Sequence, residues 1–105
     1  MKVSVVVLTY NWPSALGRLL ESLATQSRMP DEVIVADDGS REDTATLIAA
    51  IADRFPVPLR HVWQEDKGFR AARARNRGIA ASTGDYVILL DGDMIKKFEI
   101  GRAHV

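Results

Sequence analysis

The sequence predicts an α/β protein, half of a doubly wound, mainly parallel sheet with the order β-α-β-α-β-α-β. Three observations predict it. Short apolar runs, rich in β-branched residues, recur at Val3–Leu8, Glu32–Ala36, Leu59–Gln64 and Tyr86–Leu90. Runs of this length bounded by turn residues are strands of a covered parallel sheet. Between them lie segments with apolar residues at helical spacing, of the length a right-handed crossover needs. Polar clusters close the runs: Thr9-Tyr10-Asn11, Asp37-Asp38-Gly39-Ser40 and Asp91-Gly92-Asp93. Ligands of open α/β sheets sit beyond the carboxyl ends of the strands, where the strand order reverses.

Each element follows from its residues. Val3–Leu8 is a continuous apolar run and reads as a central strand. Asn11 is placed to cap the next helix and Pro13 suits its first turn. Leu16, Leu19, Leu20 and Leu23 share one face of a helix over roughly Ser14–Gln26. Met29-Pro30-Asp31 is a loop, and Glu32–Ala36 is a second buried strand. Glu42–Arg54 is a second helix with Leu47, Ile48 and Ile51 inward and Asp43 near its start, where the helix dipole favours an acid. Pro56 and Pro58 stop it. Leu59–Gln64 alternates and reads as an edge strand. Glu65–Phe69 is a polar loop, Arg70–Ala81 a third helix rich in alanine and arginine, and Tyr86–Leu90 a strand buried on both faces.

With 105 residues the chain is one small domain. Fourteen basic and fourteen acidic residues cancel, so nothing in the net charge argues for a nucleic-acid or anionic-membrane partner. No cysteine is present, which excludes disulfides and thiolate metal sites. The amino-terminal apolar run is too short for a secretory leader, and no stretch approaches the ~20 apolar residues of a membrane span. A cytoplasmic protein is expected, with peripheral membrane attachment compatible.

Asp91 and Asp93 are the strongest candidate ligands. Residues two apart in an extended chain point the same way, and Gly92 lets a ligand approach the backbone. A hard divalent cation, Mg²⁺ or Mn²⁺, bridging to phosphate oxygens is the simplest partner; a polar turn is the plainer alternative. Asp37 fits turn formation and capping with Ser40 as well as binding. Asp38, farther beyond the strand, is placed to accept a hydrogen bond from a base N–H. Gly68–Gly78 carries Arg70, Arg73, Arg75 and Arg77. Arg73 and Arg77 share a helical face, and arginine suits phosphate by its bidentate fork. Arg73 is the first choice. His61, His104, Trp12 and Trp63 read as packing or surface residues.

Val3–Asn11 (VSVVVLTYN), Glu32–Ser40 (EVIVADDGS) and Gly68–Asp93 (GFRAARARNRGIAASTGDYVILLDGD), in this order and spacing, resemble the family 2 glycosyltransferases. These are inverting, sugar-nucleotide-dependent enzymes of the GT-A fold, a Rossmann-like arrangement. The resemblance covers about residues 1–94. It implies that Asp38 binds uracil or another base, that Thr9, Tyr10, Asn11, Asp37 and Arg73 line the nucleotide pocket, that Asp93 holds Mg²⁺ or Mn²⁺, and that Asp91 holds the ribose or the metal's water. It implies a nucleoside-diphosphate sugar, with UDP-sugar first, as donor and a glycan or lipid-linked hydroxyl as acceptor, in cell-surface polysaccharide synthesis. The family's general base lies well downstream of the D-x-D pair, so none is expected here.

The expected division is a nucleotide-sugar-binding portion over 1–95 and an atypical tail over 96–105. Ile100–Val105 can be back-translated into the start of a common sequencing adapter, and we expect a reading frame cut short, inactive by itself. Other readings fit less well. A sugar-1-phosphate nucleotidyltransferase would want a glycine-rich basic loop at Thr9–Pro13. A receiver domain would want acids after the first strand. A non-catalytic nucleotide-binding fragment overlaps the leading reading.

Overall fold

A computed structural model of the chain describes residues 1–67 and 70–91. The elements alternate as expected: β1 (Val3–Thr9), α1 (Pro13–Ala24), β2 (Glu32–Asp37), α2 (Glu42–Ala52), β3 (Leu59–Trp63), α3 (Ala71–Ala81) and β4 (Tyr86–Asp91). The four strands form one parallel sheet in the order β3-β2-β1-β4. The chain moves outward from β1 to β3, then crosses back over to β4 on the other side of β1. The order therefore reverses between β1 and β4, which is the switch point of a doubly wound sheet. The expected division after residue 95 lies outside the described residues.

Alternation along the strands builds two cores. Val5, Val7, Val33 and Val35 face α1 and α2, where Leu16, Leu19, Leu20, Leu23, Ile48 and Ile51 close over them. Val6, Ile34 and Ala36 face the other way. There α3 packs across β1, β2 and β3. The register pairs Val5 with Val33, Val6 with Ile34 and Val7 with Val35, so each layer is continuous across the two central strands. All six residues of β2 are buried.

Helix α3 lies close because its sheet-facing residues are small. Ala74 and Gly78, one turn apart, are buried. A Cβ on Gly78 would stand 2.8 Å from Val6 Cγ1 and 2.9 Å from Ala36 Cβ.

Three expectations change. The strand Tyr86–Leu90 is not buried on both faces: β4 lies at the end of the sheet order among the described residues, with Tyr86 and Leu89 exposed. Its apolar residues are only partly covered: Ile88 and Leu90 pack on the α1–α2 core and Val87 on the α3 side. Asn11 does not cap α1; the N-cap is Trp12, without a side-chain cap bond. Asn11 takes a positive φ of 44° and turns toward α2 instead. Finally, α2 ends at Ala52, two residues short of Arg54.

The amino edge holds a buried acid that sequence inspection passed over. Ser4 Oγ and the Thr83 backbone N–H and hydroxyl all donate to Glu32 Oε2, while Arg60 pairs with Oε1 at 3.0 Å. Burial pushes the Glu32 carboxyl up, but these donors outweigh it and hold it down at about 2.

Candidate functional site

The carboxyl edge gathers the sequence-predicted residues from β1, β2 and β4. Thr9 stands opposite Asp37 in the ladder, and Leu8 stands opposite Asp91. The first two expected clusters and Asp91 of the third therefore share one rim. Asp93 lies outside the described residues, as does the D-x-D geometry with it.

At the end of β1, Thr9 is buried and its carbonyl accepts the Asp38 backbone N–H at 3.1 Å. Tyr10 is exposed, and its hydroxyl donates to Asp66 Oδ2 at 2.9 Å. The hydrogen bond to Asp66 and the charge of that carboxylate push the phenol above its ordinary value. The Asn11 N–H donates to Ser40 Oγ, and Asn11 Oδ1 accepts the Arg41 N–H, each at 2.8 Å. Asn11 thus ties the turn after β1 to the residue before α2.

At the end of β2, the two aspartates divide their work. Asp37 is fully buried. Its Oδ1 accepts the Ser40 N–H at 2.8 Å, and its Oδ2 lies 2.7 Å from His61 Nε2. Burial pushes this carboxyl up, but the bonds from His61 and Ser40 prevail and hold it below the usual range. Asp37 therefore shapes the turn, and His61 on β3 supports it. Asp38 is 2% exposed. Its Oδ1 accepts from Gln64 Nε2 at 2.7 Å and its Oδ2 from the Arg70 N–H at 2.8 Å. Gly39 follows with φ 95°, and a Cβ there would stand 2.5 Å from the Asp66 Cα. Only glycine lets the Glu65–Lys67 loop lie this close over the turn.

Arg70, rather than Arg73, is brought to this cluster. Arg73 is exposed on α3, and none of the hydrogen bonds to Asp38 comes from it. Arg70 is the N-cap of α3; its backbone N–H reaches Asp38, and its Nε is buried with no hydrogen-bond partner among the described residues. Sequence inspection read His61 as a packing or surface residue, where it supports Asp37, and passed over Gln64 and Asp66. One signal was available: Gln64 and Asp66 follow the third strand, at the same sheet edge as the other clusters.

Among the described residues, no group of three or more His, Cys, Asp or Glu is arranged to hold a metal ion. Mg²⁺ uses one or two carboxylates together with substrate phosphates, and needs no all-protein cage. Asp91, exposed at the rim, is a hard oxygen donor of the kind such an ion takes. A cavity of about 330 Å³ lies at the opposite, amino edge, lined by Met1, Val3, Arg28, Met29, Pro30, Tyr86 and Ile88, and takes no part in this cluster. No described helix is long and apolar enough to cross a membrane.

Comparison with known proteins gives a consistent result. A family model described as "Glycosyl transferase family 2" matches residues 4–98. The chain is 41% identical over 93 residues to a hyaluronan synthase of Pasteurella multocida, covering 88% of the chain and 9% of that protein. It is 40% identical over 91 residues to a validoxylamine A glucosyltransferase of Streptomyces hygroscopicus subsp. limoneus, covering 85% of the chain and 20% of that protein. Among solved structures, S. aureus TarS 1-349 in complex with UDP-GlcNAc superposes with TM-score 0.77 at 31% identity, over 89% of this chain and 27% of that one. The mannosyltransferase PcManGT from Pyrobaculum calidifontis, in complex with GDP-Man and Mn²⁺, superposes with TM-score 0.76 at 30% identity, over 88% and 27%. The chain thus spans well under half the length of each of these relatives.

Proposed function

We propose that this chain, which belongs to glycosyltransferase family 2, supplies the donor-binding half of an inverting glycosyl transfer. The donor is a nucleoside-diphosphate sugar, with UDP-sugar first, and the acceptor is a hydroxyl of a glycan or lipid-linked chain. The setting is cytoplasmic, in the assembly of cell-surface polysaccharide. The observation that carries the reading is the meeting of Thr9, Asp37, Asp38 and Asp91 at one sheet edge, beside the reversal of strand order.

Roles follow from position for the described residues, and from the family pattern for Asp93. Asp38 accepts a ring N–H of the base, and the buried Arg70 Nε is a donor held nearby for a base carbonyl. Thr9, Tyr10, Asn11 and Asp37 build the pocket walls and the turn that carries Asp38. Arg73 meets phosphate from the exposed side of α3. Asp91 holds the ribose or a metal-bound water, and Asp93 the metal. Mg²⁺ or Mn²⁺, when bound, neutralises the diphosphate that leaves. The acceptor oxygen displaces the nucleoside diphosphate at the anomeric carbon in one step, and a general base takes its proton. No residue of this chain is assigned that base.

The two solved relatives carry different nucleotides, uridine in one and guanosine in the other. Uracil and guanine both present a ring N–H beside a carbonyl, which suits a carboxylate next to a donor. Calorimetric titration with a UDP-sugar and Mn²⁺ tests the reading. Binding that a chelator abolishes is expected. Absence of any heat with UDP- and GDP-sugars alike would end it.

A further inference from the structure

Gln64 is the first residue beyond β3 and is 4% exposed. Its backbone N–H donates to the Asp37 carbonyl at 3.1 Å and extends the β2–β3 pairing by one step. Its side-chain Nε2 donates to Asp38 Oδ1 at 2.7 Å and to the Arg70 carbonyl at 3.2 Å. Both partners accept only. Turned the other way, the amide would set its oxygen against a carboxylate and a carbonyl, so its orientation is fixed by chemistry. The consequence is that Gln64 Oε1 is buried with no hydrogen-bond partner among the described residues. Leaving such an acceptor unpaired is costly. A methionine or leucine would fill similar space without it.

That cost secures the aim of one carboxylate. Gln64 holds Asp38 Oδ1, and the Arg70 N–H holds Oδ2. An ionised carboxylate has about four acceptor positions. With one on each oxygen taken, the group cannot swing, and a ligand donor must come to the positions left.

We propose that Gln64 is a positioning residue that sets base selectivity by clamping Asp38. The clamped carboxylate admits a base that offers a ring N–H and rejects one that offers a ring-nitrogen lone pair. This rests on the reading of Asp38 as the base-binding carboxylate. Uracil has an N–H at the ring position where cytosine has a lone pair. A loose carboxylate could shift to cytosine's amino group; a clamped one cannot. Losing Gln64 therefore erodes discrimination between UDP and CDP.

The test is calorimetric titration of the chain with UDP and with CDP, each with Mn²⁺. It is run on the unaltered protein, on Gln64→Met, on Asp38→Asn and on the double variant. The unaltered chain is expected to prefer UDP, and Gln64→Met to reduce the UDP-to-CDP affinity ratio about tenfold, or ~1.4 kcal/mol. On the Asp38→Asn background, adding Gln64→Met should change the ratio no further, since the amide acts through that carboxylate. Equal weakening of both nucleotides with a lowered melting temperature would mark Gln64 as merely structural and overturn the proposal. An unchanged ratio overturns it too, while leaving the donor-binding reading intact. Absence of any preference in the unaltered chain overturns the base-binding role of Asp38 and the proposal together. Should Gln64→Met fail to fold, Gln64→Leu serves: it too removes the donor to Asp38, and a preserved preference there refutes the clamp.

Discussion

Asp38 and Glu32 show how much a single buried carboxylate depends on its donors. Asp38→Asn turns an amide N–H toward either Gln64 Nε2 or the Arg70 N–H, both donors. It also removes the charge a base N–H would meet. Hydrogen bonds to charged groups contribute about 1.5–3 kcal/mol, so UDP affinity should fall at least about tenfold in a calorimetric titration. Glu32 governs acid stability. Its folded-state value of about 2 lies below the ordinary 4.5. A lowered carboxyl stabilises the fold fully above its ordinary value and ceases to do so as pH falls through the lowered one. Asp37 acts in the same direction. Urea-midpoint measurements should therefore show stability dropping as pH falls from 4.5 toward 2, and Glu32→Gln should flatten that drop. The aspartates were legible in the sequence because they follow apolar runs. Their partners were not. His61, Gln64 and Arg70 lie 24, 26 and 32 residues from the acids they bind, and only the folded sheet brings them near.

At the scale of elements, helix α3 turns the usual effect of glycine replacement around. In a solvated helix Gly→Ala gains about 1 kcal/mol. At Gly78 the added methyl would meet Val6 and Ala36 on the two central strands, closer than 3.0 Å. Overpacking of that kind costs about 1–3 kcal/mol, and fully buried strands give little way. Gly78→Ala should therefore lower the melting temperature, where an exposed-helix replacement would raise it. The same element explains a limit of sequence reading. Periodicity located α1 and α2 to within about two residues, because leucines and isoleucines repeat on one face; α3 was legible from its alanine- and arginine-rich composition instead. It could not say that β4 stands at the end of the described sheet order, since an apolar run looks the same in the middle or at the side of a sheet. Nor could it say that Asn11 would reach Arg41 rather than its own helix.

For the whole molecule, the alternation of strands and helices was legible because a parallel sheet allows few connections. That topology alone placed the polar clusters on one edge. The prediction at this scale is collective. With Asp91 at the rim as a cation or ribose ligand, Asp91→Asn should weaken Mn²⁺-dependent UDP-sugar affinity several-fold. Calorimetry with and without chelator checks it.

The strand order has one more consequence, for synthesis. β1 leaves the ribosome before the other described strands, yet it gains its neighbour β4 only when residues 86–91 have followed. Until then the hydrogen-bonding flank of a nascent, strongly apolar segment stays open, and such flanks invite pairing with other chains. Chaperone capture during translation should accordingly peak before Tyr86 emerges and decline once β4 can zip alongside β1.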